Sequence, residues 1–189
     1  DFFRTFPEKA KEYSDLKEKN QTLHPDDYPA YRETKAPFLQ KMEQEAYVWN
    51  KSKNFSSYNP EWPQKFESEA LKIREILGDQ ILDIQHIGST SIPILSAKPI
   101  IDIGVLVNSI DDIQSFVSKL STLGYDYKPD MSSVERIFLR KGNPIEYHLS
   151  IACPKHLFWD RNITFRDYLR THPELVKEYD NLKTQNLSE

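Results

Sequence analysis

A mixed β-sheet flanked by helices, of the α+β (α/β) kind, is the fold this 189-residue sequence predicts. Three observations lead there. Ile100 to Val107 is an almost unbroken apolar, β-branched run, as in a strand covered on both faces. Arg136 to Arg140 and Ile145 to Ala152 are strand-like runs joined by Lys141-Gly142-Asn143, which reads as a hairpin. Around these runs lie segments whose apolar residues recur at helical spacing.

The elements follow in order. Thr5-Phe6-Pro7-Glu8 offers an N-cap hydroxyl, then Pro and Glu for a first helical turn, and Ala10, Tyr13 and Leu16 continue at helical spacing. Asp26 or Asp27 caps a further helix with a stripe of Tyr31, Lys35, Phe38, Met42 and Trp49, in which Pro37 predicts a kink or a restart. Asn50 through Ser57 reads as a linker, so residues 1–54 form a helical segment with linker and residues 55–189 a domain. In the domain, Pro63 to Leu77 buries Phe66, Ala70, Ile73 and Leu77 along one helix face, and Gly78 ends it. Ile81 to Ile87 alternates as a strand that Gly88-Ser89-Thr90-Ser91 breaks. After the apolar strand, Asp111 to Leu123 is a helix with Ile113, Phe116, Val117 and Leu120 inward and Gly124 as its stop. The hairpin follows, and helices over Leu157 to Arg170 and Pro173 to Asn186 finish the chain.

The two ends resemble each other. Asp1-Phe2-Phe3-Arg4-Thr5-Phe6-Pro7-Glu8 reads against Asp167-Tyr168-Leu169-Arg170-Thr171-His172-Pro173-Glu174 at a constant offset of 166 residues. Lys11-Glu12-Tyr13, Leu16-Lys17 and Asn20 keep that offset against Lys177-Glu178-Tyr179, Leu182-Lys183 and Asn186. Residues 1–54 therefore read as the tail of a preceding copy of the domain, with an unrelated helical hairpin as the alternative. Self-association or a domain swap through residues 1–49 is the corresponding expectation.

Composition excludes several classes. A net charge of −4 argues against a wide basic surface for duplex nucleic acid, while leaving room for a local basic pocket. The single cysteine, Cys153, can form neither an internal disulfide nor a cysteine zinc site, and reads as a buried hydrophobe. No apolar run approaches a membrane span and the start does not read as a signal peptide, so a cytoplasmic protein is expected.

One constellation suits phosphate chemistry. A glycine directly after a strand lets backbone amides approach an anion, and a following serine adds a hydroxyl, which makes Gly88-Ser89-Thr90 the candidate cradle. Twelve residues separate Ser89 from Asp102, a carboxylate inside the apolar strand and costly there unless a cation or donors answer it. Carboxylates at i and i+2 share a strand face and can share magnesium, but position 104 holds glycine. Lys98 is expected to reach a phosphate, with an ordinary surface lysine as the alternative. By alternation Arg136 and Arg140 share one strand face with Phe138, and Glu146, His148 and Ser150 share another. If these faces meet Asp102, the arginines add positive charge and Glu146 can replace the missing carboxylate; a solvated edge face is the alternative. His86 and His148 read as acid–base groups, ligands or hydrogen-bonded strand residues, and the last reading suits His86 best. Arg166 and Arg170 are expected to pair with carboxylates such as Asp167 or Glu174.

His86-Ile87-Gly88-Ser89-Thr90-Ser91-Ile92-Pro93, with Ala97-Lys98-Pro99-Ile100-Ile101-Asp102-Ile103, resembles the signature of the GrpB family of the nucleotidyltransferase superfamily. Tyr58-Asn59-Pro60-Glu61-Trp62-Pro63, Leu123-Gly124-Tyr125, His148-Leu149 and Phe165-Arg166-Asp167-Tyr168-Leu169-Arg170 extend it from Tyr58 to about Leu187. Tyr13, Leu16-Lys17, Asp27, Tyr31, Lys35 and Phe38 resemble the family's C-terminal end. The resemblance implies a polymerase-β-type fold in which Gly88 and Ser89 stand at the triphosphate and Asp102 is the first metal carboxylate. Gly104 departs from the superfamily's Asp-x-Asp/Glu pair, and Ser150 from the family's common His-x-His. Three functions follow as expectations. The first is magnesium-dependent nucleotidyl transfer from a nucleoside triphosphate, with Asp102, His148 and Glu146 at the chemistry. The second is a phosphate-binding or regulatory module with impaired turnover, which Gly104 favours. The third is a tandem-repeat interaction domain.

Overall fold

A computed structural model describes residues 2–52 and 55–188. The chain divides into two compact units, one of residues 1–54 with 185–189 and one of residues 55–184. Lys53 and Asn54 of the expected linker, and Asp1 of the end-to-end match, lie outside the described residues.

The first unit is helical. α1 (Phe2–Thr5) and α2 (Pro7–Leu23) are separated by one residue, and α3 (Tyr28–Ser52) packs on them. Thr5 closes α1 rather than capping α2; the N-cap is Phe6, which makes no side-chain cap bond. Asp27 does cap α3, its carboxylate accepting from the Ala30 amide at 3.0 Å. Pro37 does not end α3, and the helix runs through Asn50-Lys51-Ser52, where neither Gly nor Pro stops it. The Trp49 ring meets Phe2 at 5.8 Å and Phe6 at 6.0 Å, and Tyr13 stacks on Phe38 at 5.8 Å. Lys9 pairs with Glu45 at 3.3 Å.

The second unit is built on one sheet. Its strands are β1 (Ile81–Ile87), β2 (Ile101–Val107), β3 (Tyr125–Tyr127), β4 (Arg136–Lys141) and β5 (Tyr147–Ala152). Their spatial order is β1-β2-β5-β4-β3; only the β2–β5 pair is parallel, so the sheet is mixed. β3 is absent from the sequence expectation because three residues are too short to show a period. The hairpin connection runs from Gly142 to Glu146, longer than the three-residue turn expected, and delays β5 to Tyr147.

Alternation divides this sheet into a dry face and a polar one. Ile101, Ile103, Val105, Leu149, Ile151 and Leu139 are fully buried in the main core, together with Phe66 and Ile73 of α4 (Trp62–Leu77) and Phe116 and Leu120 of α5 (Ile113–Ser121). The other face carries Asp102, Gly104, His148 and Ser150. Near its β1 edge lie α6 (Phe158–Thr171) and α7 (Pro173–Ser188), whose Leu169 and Val176 form a second buried cluster with Ile92 and Leu95. No helix among the described residues is long and apolar enough to cross a membrane.

Candidate phosphate-binding site

The register of three strands assembles the site. Asp102 stands opposite His148 across the parallel β2–β5 pair, and His148 stands opposite Arg140 across β4–β5. The next row joins Gly104, Ser150 and Phe138. The arginine and histidine faces therefore do meet the Asp102 face. His148 Nδ1 lies 3.0 Å from Asp102 Oδ1, and both side chains stay partly open, at 23% and 35% exposure.

Gly88 explains how the turn approaches this carboxylate. Its backbone has φ 70° and ψ −173°, a region essentially restricted to glycine. A Cβ there would fall 2.3 Å from Asp102 Oδ2, so the carboxylate packs directly on the glycine backbone. The Ser89–Ser91 segment forms one 3-10 turn, in which the Ser91 amide and hydroxyl both donate to the Gly88 carbonyl, at 3.2 and 2.6 Å.

Ser89 has a partner that local patterns do not announce. Lys183 of α7 donates to Ser89 Oγ and to the Ser96 carbonyl, each at 2.9 Å. Its ammonium also lies 5.2 Å from the Phe55 ring and 5.6 Å from the Tyr179 ring. Burial lowers the Lys183 pKa, while the carboxylates of Asp180 and Asp102 oppose that shift. Asp180 fixes the same loop by accepting from the Ser96 amide at 2.9 Å and hydroxyl at 3.0 Å. An ammonium has three donors, and the two protein acceptors leave one for a ligand.

The remaining expected residues divide. Arg136 donates to Ser150 Oγ at 3.0 Å and lies between the rings of Phe138 and Phe158, at 4.7 and 5.0 Å. Burial depresses its pKa and Asp102 pulls the other way. Arg140 lies 5.6 Å over Phe138, and its buried Nε has no hydrogen-bond partner among the described residues. Thr90 is not on this face: it is buried, hydrogen-bonded to His86 Nε2 at 3.0 Å and donating to the Ile100 carbonyl at 3.2 Å. Glu146 precedes β5 instead of lying on it, is exposed, and makes no side-chain hydrogen bond or ion pair among the described residues. Lys98 is likewise exposed in the loop before β2, without a side-chain partner among the described residues.

Trp159 is the other unanticipated participant. Its ring lies 3.2 Å from where a Cβ on Gly104 would sit, and Ile87 crowds the same point at 3.3 Å. Position 104 thus lacks a carboxylate, and an indole fills the space beside it. Arg166 and Arg170 both pair with Asp167, as expected, at 2.7 and 3.8 Å, and each reaches a backbone carbonyl besides. Arg166 donates to the His86 carbonyl at 2.9 Å and to Gln85 at 2.8 Å, besides pairing with Asp167. Arg170 donates twice to the Ser91 carbonyl, at 3.0 and 2.8 Å.

Comparison with known proteins agrees with this frame. The family described as GrpB protein matches residues 54–189. The UPF0157 protein YqkA of Bacillus subtilis is 38% identical over 129 residues, which cover 68% of this chain but only 38% of YqkA. The crystal structure of GrpB from Enterococcus faecalis superposes with a TM-score of 0.66 at 35% identity, covering 71% of this chain and 82% of that one. The Cid1 poly(U) polymerase with Mg 3′-dATP bound shares the fold at a TM-score of 0.50 and 15% identity, over 75% of this chain and 46% of Cid1. A nucleotidyltransferase-like mixed sheet that carries the Gly88-Ser89 turn and Asp102, matched by the family over most of its length, makes this chain a member of the GrpB family.

Proposed function

We propose that the chain binds a nucleoside triphosphate, or another phosphorylated small molecule, over the Gly88-Ser89 turn, and that nucleotidyl transfer at this site is impaired. The single observation that carries the reading is the Trp159 ring packed against Gly104, where the superfamily's second metal carboxylate would project. A two-ion centre stabilises the attacking and leaving oxygens together, and one carboxylate does not build it. Among the described residues no group of three His, Cys, Asp or Glu side chains gathers. The donor set suits one hydrated magnesium shared between Asp102 and substrate phosphates, where the ion would neutralise phosphate charge.

The protein groups then have distinct tasks. Lys183 and Ser89 hold phosphate oxygens, since both are already joined and aimed along one edge of the turn. His148 holds Asp102 in orientation. Arg136 and Arg140, stacked on Phe138, supply positive charge along the opposite wall. A ligand of this class belongs to the cytoplasm, which is the location proposed.

Equilibrium binding of labelled ATP and UTP with magnesium, alongside a pyrophosphate-release assay, tests the proposal. The expected result is saturable binding with release at background. Lys183→Ala should weaken binding about ten-fold, about 1.4 kcal/mol, whereas Lys98→Ala should leave it within about two-fold. Binding unchanged in both Lys183→Ala and Asp102→Asn would remove the site. Rapid pyrophosphate release by the unaltered chain would instead restore the transferase reading.

A further inference from the structure

A carboxylate has two oxygens, and those of Asp102 face two different neighbourhoods. Oδ2 packs on the backbone of Gly88, next in the chain to Ser89, whose hydroxyl Lys183 bonds. Oδ1 meets His148 Nδ1, and the His148 ring lies 5.2 Å from that of Phe138 on β4. Phe138 in turn carries two guanidinium groups, Arg136 at 4.7 Å and Arg140 at 5.6 Å from its ring centre. The polar face therefore sets one cationic group on each side of a single carboxylate.

The two groups differ in how their charge is answered. Lys183 feels the Asp180 carboxylate and bonds two protein oxygens. On α6, Arg166 and Arg170 share Asp167, and on β4 Lys141 pairs with the buried Glu69. Arg136 and Arg140 have no carboxylate at ion-pair distance among the described residues. Arg136 gives one bond to the neutral Ser150 hydroxyl, at 3.0 Å, and Arg140 makes no side-chain hydrogen bond among them, its buried Nε included. Each guanidinium has five N–H donors. The carboxylates in register with these arginines are engaged elsewhere: Asp102 with His148, and Asp126, opposite Arg140 across β3–β4, with Lys128. Two half-buried cations on one ring without a counter-charge are unfavourable until an anion joins them.

From this we infer that the Arg136–Phe138–Arg140 wall is a second anion subsite, which takes a small dianion, a phosphomonoester or a dicarboxylate, alongside the triphosphate. Two planar forks on one ring suit a ligand with two negative charges, each fork able to bind oxygens in pairs. Arg136 is held between Phe138 and Phe158, at 4.7 and 5.0 Å, so little side-chain freedom remains to be lost on binding. Arg140 stands two strands from Asp102, about 10 Å across the sheet, which sets the dianion beside the Gly88 turn and not over it. The inference rests on the nucleotide reading in one respect, that the triphosphate occupies Ser89 and Lys183 and leaves the arginines free.

Titration calorimetry of the full chain with glycerol 3-phosphate and with succinate, against uncharged glycerol and succinamide, tests the inference. At least one dianion is expected to bind saturably and neither neutral compound to bind; the tighter dianion decides between a phosphate and a carboxylate ligand. Arg140→Gln should weaken that dianion at least ten-fold and MgATP about three-fold, whereas Lys183→Ala should weaken the two in the opposite order. Arg140→Lys keeps the charge and should restore part of what glutamine loses. Circular dichroism verifies that each variant folds, and the comparison of charged with neutral compounds needs no variant. Binding of neither dianion, or equal binding of a neutral compound, would overturn the inference. So would dianion and MgATP affinities that fall in parallel in both variants, which would make the arginines part of the triphosphate site. Dianion binding without any MgATP binding would keep the subsite and remove the nucleotide reading.

Discussion

His86 and His148 belong to one sheet and meet opposite fates. His86 projects into the core, where its ring stacks on Phe66 at 4.9 Å and its Nε2 bonds Thr90. Burial, with Arg170 and Arg166 nearby, lowers its pKa to about 4, so it is neutral at ordinary pH. His148 projects to the polar face, beside Asp102 and opposite Arg140. Strand parity decides which histidine belongs to the fold and which to the site. The same parity separates Ile103, wholly buried, from its neighbours Asp102 and Gly104 on the site face.

Breaking the seam between the turn and the site face should have the largest effect. Gly88→Ala sets a Cβ against Asp102 Oδ2 in a backbone region that alanine resists, and should destabilise the protein by about 3 kcal/mol. A denaturant midpoint shift with an unchanged slope would register it. The core side is sharpened by pH. Because the folded pKa of His86 is depressed, the unfolded chain takes up the proton first as pH falls. Its stabilising contribution is therefore lost between about pH 6.5 and about pH 4. Between about pH 7 and about pH 5 the loss should be about 2 kcal/mol, and His86→Gln should flatten that slope in parallel denaturation curves.

The smallest effect is expected on the site face itself. Gly104→Asp meets Trp159 and Ile87 and should cost about 1–2 kcal/mol without creating a manganese site. The double variant Gly104→Asp with Trp159→Gly opens the space and should bind manganese measurably by calorimetry. Manganese binding by the single variant would show that the indole is no obstacle.

Much of this could be read in advance, for identifiable reasons. β1 and β4 were legible because apolar residues recur at every second position, and β2 because its run is almost unbroken apolar and β-branched. Asp102, with glycine two residues on, followed from the same rule, and so did the shared face of Arg136, Arg140 and His148. Glu146 had the right parity, but the longer hairpin turn starts β5 one residue after it. Thr90 was credited to the phosphate because it follows Gly88-Ser89, whereas the 3-10 turn swings it into the core. Lys98 had charge and proximity in sequence, and its side chain is exposed without a partner among the described residues.

By itself the sequence determined every strand but β3 and most of the helices, the Gly88-Ser89 turn, the single carboxylate at Asp102 and the repeat of the two ends. All of these are carried by residues within a few positions of one another, or by self-comparison. Only the tertiary structure decided that Lys183, 94 residues from Ser89, donates to the Ser89 hydroxyl, and that Trp159 fills the place beside Gly104. Such contacts arise when packing the apolar faces of α6 and α7 brings distant side chains together. No local periodicity encodes which of many lysines or indoles will arrive there.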